Sequence, residues 1–164
     1  MFFFLKAPAR RTAILATILL PGLTGMLSAA EGRSWVADSD ENAAWLIYGT
    51  PESDDMLLSI TCDKAAKALT VVFMTEPVSA KNPEKLPLEI SSEGGRVSLV
   101  GEGKRSEMDD AYSLEAKTPV TPELNKLLTD ARRLLVKAQG AGQAEMPLDD
   151  VAVNGAADLV KGCN

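Results

Sequence analysis

Two cysteines constrain this chain more than any other feature. In DMLLSITC, residues 55–62, the side chains alternate with period two. Met56, Leu58, Ile60 and Cys62 share one face of an extended strand, and Leu57, Ser59 and Thr61 share the other. In GAADLVKGC, residues 155–163, Ala156, Leu159, Val160 and Cys163 fall at helical spacing on one face. Both thiols thus keep company with core-facing residues. A redox role calls for a Cys-x-x-Cys motif or an exposed thiol of lowered pKa, and the sequence suggests neither. The expectation is a structural disulfide, Cys62–Cys163, closing a loop worth about 4.7 kcal/mol in the chain-entropy picture. Any fold for this chain must therefore return its last helix to an early strand.

The segments between the cysteines read mostly as strands. DMLLSITC and KALTVVFM form a hairpin across DKAA, with Leu69, Val71 and Phe73 opposing Thr70, Val72 and Met74. An earlier strand lies in AWLIYG, where Trp45 and Tyr48 fall on opposite faces, one for the core and one for contact. EPVSAKNPEKLP reads as a loop, followed by strands in LPLEI and RVSLVG. KRSEM and AYSLEA suggest another hairpin around Asp109-Asp110. The period then changes. Thr121, Pro122 and Glu123 open a helix as N-cap, first position and dipole-complementing acid, with Leu124, Leu127, Leu128 and Ala131 as its apolar stripe. RLLVKAQG reads as a strand, EMPLD as a short edge strand, and Asn154 as the cap of the final helix. Strands, helix, strand, helix is not the alternation of a parallel α/β sheet. The fold class expected is mainly β (α+β): an antiparallel sheet, sandwich or partly closed barrel with one or two helices packed on it.

The first thirty residues have the layout of a secretory signal. Lys6, Arg10 and Arg11 precede the apolar stretch TAILATILLPGLTGML, and small Ser28 and Ala30 precede polar EGRS. The apolar run is shorter than a bilayer span and is broken by Pro21-Gly22. The division expected is residues 1–30 as signal peptide, 31–43 as a flexible N-terminal segment and 44–164 as a single β-rich domain. Of 17 Lys+Arg and 23 Asp+Glu, the signal holds three bases and no acid. The exported remainder is strongly acidic, which disfavours nucleic acid and anionic lipid as partners. A soluble periplasmic or secreted protein is expected, without stable membrane insertion after cleavage.

The chain has no histidine. Ser-His-Asp and Cys-His catalysis and histidine zinc sites are thereby removed. Phosphate-binding GxxxxGK[ST] loops and GxSxG elbows are also missing. Carboxylate pairs remain open to a small hydrolase, which would need a pocket with two convergent acids of raised pKa. Asp38, Asp40 and Asn42 imitate the start of a calcium loop, but Ala43 stands at its glycine position and Gly49 at its bidentate acid. No cofactor and no metal site are expected. Arg132, Arg133 and Lys137 form a candidate patch for an anion or a protein partner.

The tail MPLDDVAVNGAADLVKGCN resembles the ending of small proteobacterial periplasmic proteins, the VasI-like type VI secretion accessory proteins and the invasion-associated locus B proteins. In these a short strand is followed by a helix that stops at a cysteine. The resemblance covers about 20 residues and implies an exported β-rich fold. Beyond the cysteine pair it carries over no site residue. The function expected is an accessory or binding protein acting by protein–protein contact without catalysis. The alternatives are a periplasmic inhibitor of a cell-wall or host hydrolase, using EPVSAKNPEKLP or EGKRSEMDD as a projecting loop, and the carboxylate hydrolase.

Overall fold

The computed structural model describes residues 32–75, 85–106 and 111–164. The expected signal peptide, most of the EPVSAKNPEKLP loop and the Asp109-Asp110 turn lie outside these residues.

The alternation seen in the sequence becomes β3 (Met56–Asp63) and β4 (Ala68–Thr75), paired antiparallel with Ile60 opposite Val71 and Cys62 opposite Leu69. Before them stand β1 (Ser34–Ser39) and β2 (Ala43–Gly49). After them come β5 (Lys85–Ser92), β6 (Gly95–Arg105) and β7 (Tyr112–Thr118). The chain continues through α1 (Pro122–Thr129), β8 (Arg133–Ala138), β9 (Gly142–Pro147) and α2 (Asp150–Cys163). Among the described residues all nine strands belong to one antiparallel sheet in the order β1-β2-β3-β4-β7-β6-β5-β8-β9, curled into a half-barrel. The expected fold class is the one observed.

The inner face of the sheet is the core. Leu46, Leu58, Ile60, Leu69, Val71, Leu88, Ile90, Leu114, Leu134 and Val136 are fully buried there, beneath Leu124, Leu127 and Leu128 of α1 and Ala152, Ala156 and Leu159 of α2. Thr121 caps α1, its hydroxyl accepting from the Leu124 N–H at 3.2 Å, and Pro122 takes the first turn. Cys62 and Cys163 are joined in a disulfide with Cα atoms 5.8 Å apart, fastening the last residue of α2 to β3.

Two expectations are corrected. The segment 31–43 is not a loose leader: Ser34–Ser39 is a strand of the domain, and Trp35 is buried at its centre. Its inner positions beyond Trp35 are Ala37, on which α2 packs, and exposed Ser39. A Cβ at Gly155 of α2 would stand 2.3 Å from the Ala37 Cβ. The final helix also begins earlier than Asn154. Asp149 is its cap, the carboxylate accepting from Ala152 N–H at 2.9 Å, and Asn154 sits exposed within the helix.

Candidate interaction face

The outer face of the half-barrel is divided in two. On β1 to β4 the outward positions are largely apolar: Val36, Trp45, Ile47, Leu57, Val72 and Met74. They adjoin through the ladder. Val36 pairs with Ile47, Ile47 with Ser59, and Ser59 with Val72. A neighbouring row runs from Trp45 through Thr61 to Thr70. Val36 is 46 % exposed and the others are half-buried, Leu57 in part against the core. Ser59 shows how closely they stand. It faces outward, yet 8 % of it is accessible because Ile47 and Val72 flank it, and its hydroxyl lies 3.4 Å from that of Thr61. α2 packs on β1, β2 and β3 from the inner side, where it meets Ala37 and Leu46. Trp45 and Tyr48 divide as their parity implies. Tyr48 is buried against Trp35, ring centroids 5.0 Å apart, and Trp45 takes the outer face.

The other half is mostly charged, although Val100, 69 % exposed, and Leu135 also face outward there. Val72 is followed across the ladder by Glu115 and then Glu102, and Thr70 by Lys117. Lys104 is ion-paired with Glu115, which holds its ammonium above the ordinary lysine range. Arg96 pairs with Glu89 at 3.1 Å. Arg133 lies between Glu145 at 3.2 Å and Glu93 at 3.6 Å. These three line a shallow cleft of about 290 Å³ with Ser91, Ser92 and Leu135. The Glu93 carboxyl accepts its own backbone N–H and those of Arg132 and Arg133, which lowers its pKa.

Within the candidate basic patch Arg133 is the member neutralised by carboxylates. Arg133 and Lys137 share the outer face of β8, and Arg132 precedes that strand. Arg133 is held by two carboxylates, and the Arg132 amide is used to fix one of them. The acids of the cleft converge on a guanidinium instead of on each other. Glu93 is shifted toward the ionised form, opposite in sign to the raised acid that a carboxylate hydrolase would show.

The calcium-like segment is a tight turn. The Asp40 carboxylate accepts from Asn42 and Ala43 N–H, both at 2.7 Å, and these bonds lower its pKa. Among the described residues no three acidic, cysteine or histidine side chains gather around a metal-sized centre, and no helix is long and apolar enough to cross a membrane.

Reading strand by strand did not reveal the apolar half. A signal was present: β2 is apolar on both faces and β3 and β4 carry Leu57, Val72 and Met74 outward beside small hydroxyl residues, whereas β7 alternates apolar with Ser113, Glu115 and Lys117. No protein-family model, curated protein or solved structure matches the chain. Function is thus argued from the geometry of this face.

Proposed function

We propose that the protein is an exported accessory or binding protein that works by protein–protein contact through the outer face of β1 to β4. One observation carries the reading: an outward apolar cluster of Val36, Ile47 and Trp45, with Val72 one ladder position further across Ser59, bounded on one side by a mostly charged half of the same sheet. Isolated apolar residues on a surface need no explanation, but a joined set rimmed by polar ones marks an interaction site. Trp45 supplies the aromatic anchor that such interfaces favour. Export is supported by the three-part N-terminal layout of the sequence, and the disulfide is consistent with an oxidising compartment.

The test is affinity capture from the periplasm of the native cell with the wild-type protein and with Trp45→Ala and Val72→Glu variants. Both positions are outward-facing and at least partly exposed, so the variants are expected to fold and to lose the captured partner. Correctly folded variants that retain every partner, or a wild type that captures nothing, would sink the reading.

A further inference from the structure

β1 ends the strand order, so among the described residues one side of its backbone has no neighbour in the sheet. The ladder phase shows which peptide groups face that side. The bond from Asp40 N–H to the Ala43 carbonyl, 2.9 Å, points toward β2. In an antiparallel ladder the direction alternates, so Asp38 and Val36 also bond toward β2, while Ala37 and Ser39 face away. Ser39 N–H is taken by the Asp38 carboxylate at 2.7 Å. The peptide groups of Ala37 remain at the edge. Sheet edges are commonly protected by proline, lysine or a bulge. The opposite edge ends in Pro147; WVADS has no such residue.

Beside this edge runs a groove of about 320 Å³ between Ala37–Ser39 and α2. Its helical wall is Val151, Asn154, Gly155 and Asp158, one face at i, i+3, i+4 and i+7. Val151 is 47 % exposed. Asp38 and Asp158 are exposed, and among the described residues no base lines the groove. A strand edge facing a helix, with room between them, is the arrangement that receives an extended peptide as an added strand.

The geometry points to this groove as the docking site for an extended segment of a partner protein, added to β1 as a tenth strand and carrying a basic residue two positions from an apolar one. The inference rests on the reading of the protein as a contact protein and specifies the partner's chemistry. Residues of the added strand opposite Val36 and Asp38 point to the outer face. The first then extends the Val36–Ile47 row and is apolar; the second meets the Asp38 carboxylate and is Lys or Arg. The residue between them points inward, toward Val151 and Asp158. Its backbone exchanges hydrogen bonds with Ala37. The acidity of the groove selects against acidic segments.

The probe is the peptide acetyl-Gly-Thr-Val-Thr-Lys-Thr-Gly-amide, titrated into the isotope-labelled protein and followed by amide resonances. Saturable shifts centred on Ala37 are expected, with slowed exchange of its amide. N-methylation of the central Thr, which removes one ladder bond, is expected to weaken binding about tenfold. Replacing the peptide Lys by Glu, or Asp38→Lys in the protein, is expected to do the same. No response at Ala37 at millimolar peptide, or an N-methylated peptide that binds as well as its parent, overturns the proposal. Loss of capture by Trp45→Ala together with a silent peptide titration would remove the groove and leave the outer face standing.

Discussion

The indole N–H of Trp35 donates to the backbone carbonyl of Pro147. These residues belong to β1 and β9, the two ends of the nine-strand sheet. The bond crosses the mouth of the half-barrel and joins strands that share no ladder. Trp35→Phe keeps an aromatic ring against Tyr48 and leaves the carbonyl without its donor. A loss of about 2 kcal/mol is expected in urea unfolding. Amide exchange should quicken at the β9–α2 junction. An unchanged midpoint with unchanged exchange there would show that the two ends are held by packing alone.

Replacing both Cys62 and Cys163 by Ala should lower stability by about 3–5 kcal/mol, since the bridge spans 101 positions and restricts the unfolded chain accordingly. Both sulfurs lie within the core, at 0 % and 3 % exposure, so a reductant should act slowly on the native protein. Denaturation with and without reductant checks both points. A difference below about 1 kcal/mol would refute the bridge as a major source of stability.

Two glycines of α2 should respond with opposite signs. Alanine is favoured over glycine within a helix by about 1 kcal/mol. At Gly155 that gain is overwhelmed, because the new methyl meets the Ala37 Cβ at 2.3 Å and Leu46 Cδ1 at 3.1 Å. Gly155→Ala should therefore destabilise, by about 1–2 kcal/mol net. At Gly162 the nearest atom is the Lys64 Cε at 3.1 Å, the far end of a flexible chain. Gly162→Ala should be neutral or stabilising. Thermal melts of the two variants make the comparison.

Asp55 closes the β2–β3 turn. Its carboxylate receives Arg33 Nη2 at 2.9 Å and Nε at 3.1 Å, and the Thr50 hydroxyl at 2.7 Å. The Arg33 bond, then that from Thr50, lowers its pKa below the ordinary 3.8. A carboxyl whose pKa is depressed by folding stabilises the native state above its unfolded value and ceases to do so as pH falls through the folded value. Asp55→Asn should thus cost stability at pH 7, by under about 1 kcal/mol because the pair is solvent-screened. As pH falls through the folded pKa, the penalty should vanish. A penalty independent of pH would mean that shape, not charge, holds the turn.

The hairpin of β3 and β4 was legible because each strand carries its own period-two record, and α1 because Thr121-Pro122 marks its start. β1 was not. One large apolar residue, Trp35, stands on its inner face, and the next inward position, Ala37, is small where a helix more than a hundred residues away packs on it. The start of α2 was obscured by the same contact, since Gly155 reads as an interruption when the strand it accommodates is unknown. The outer apolar face and the groove depend on strand order. Local signals do not contain the pairings β4–β7 and β5–β8, and without them no strand can be known to lie at an edge.

The disulfide also has a consequence in time. The β3–β4 and β5–β6 pairs join neighbours in the chain, whereas Leu69 opposite Thr118 and Leu88 opposite Ala138 must find each other across long loops. Cys163 meets Cys62 on strands of the first kind, since α2 rests on β1, β2 and β3. The bridge therefore binds the last helix and the early strands into one unit that needs none of the long-range pairings. Kept intact in the unfolded chain, it shortens that chain's search for the native arrangement.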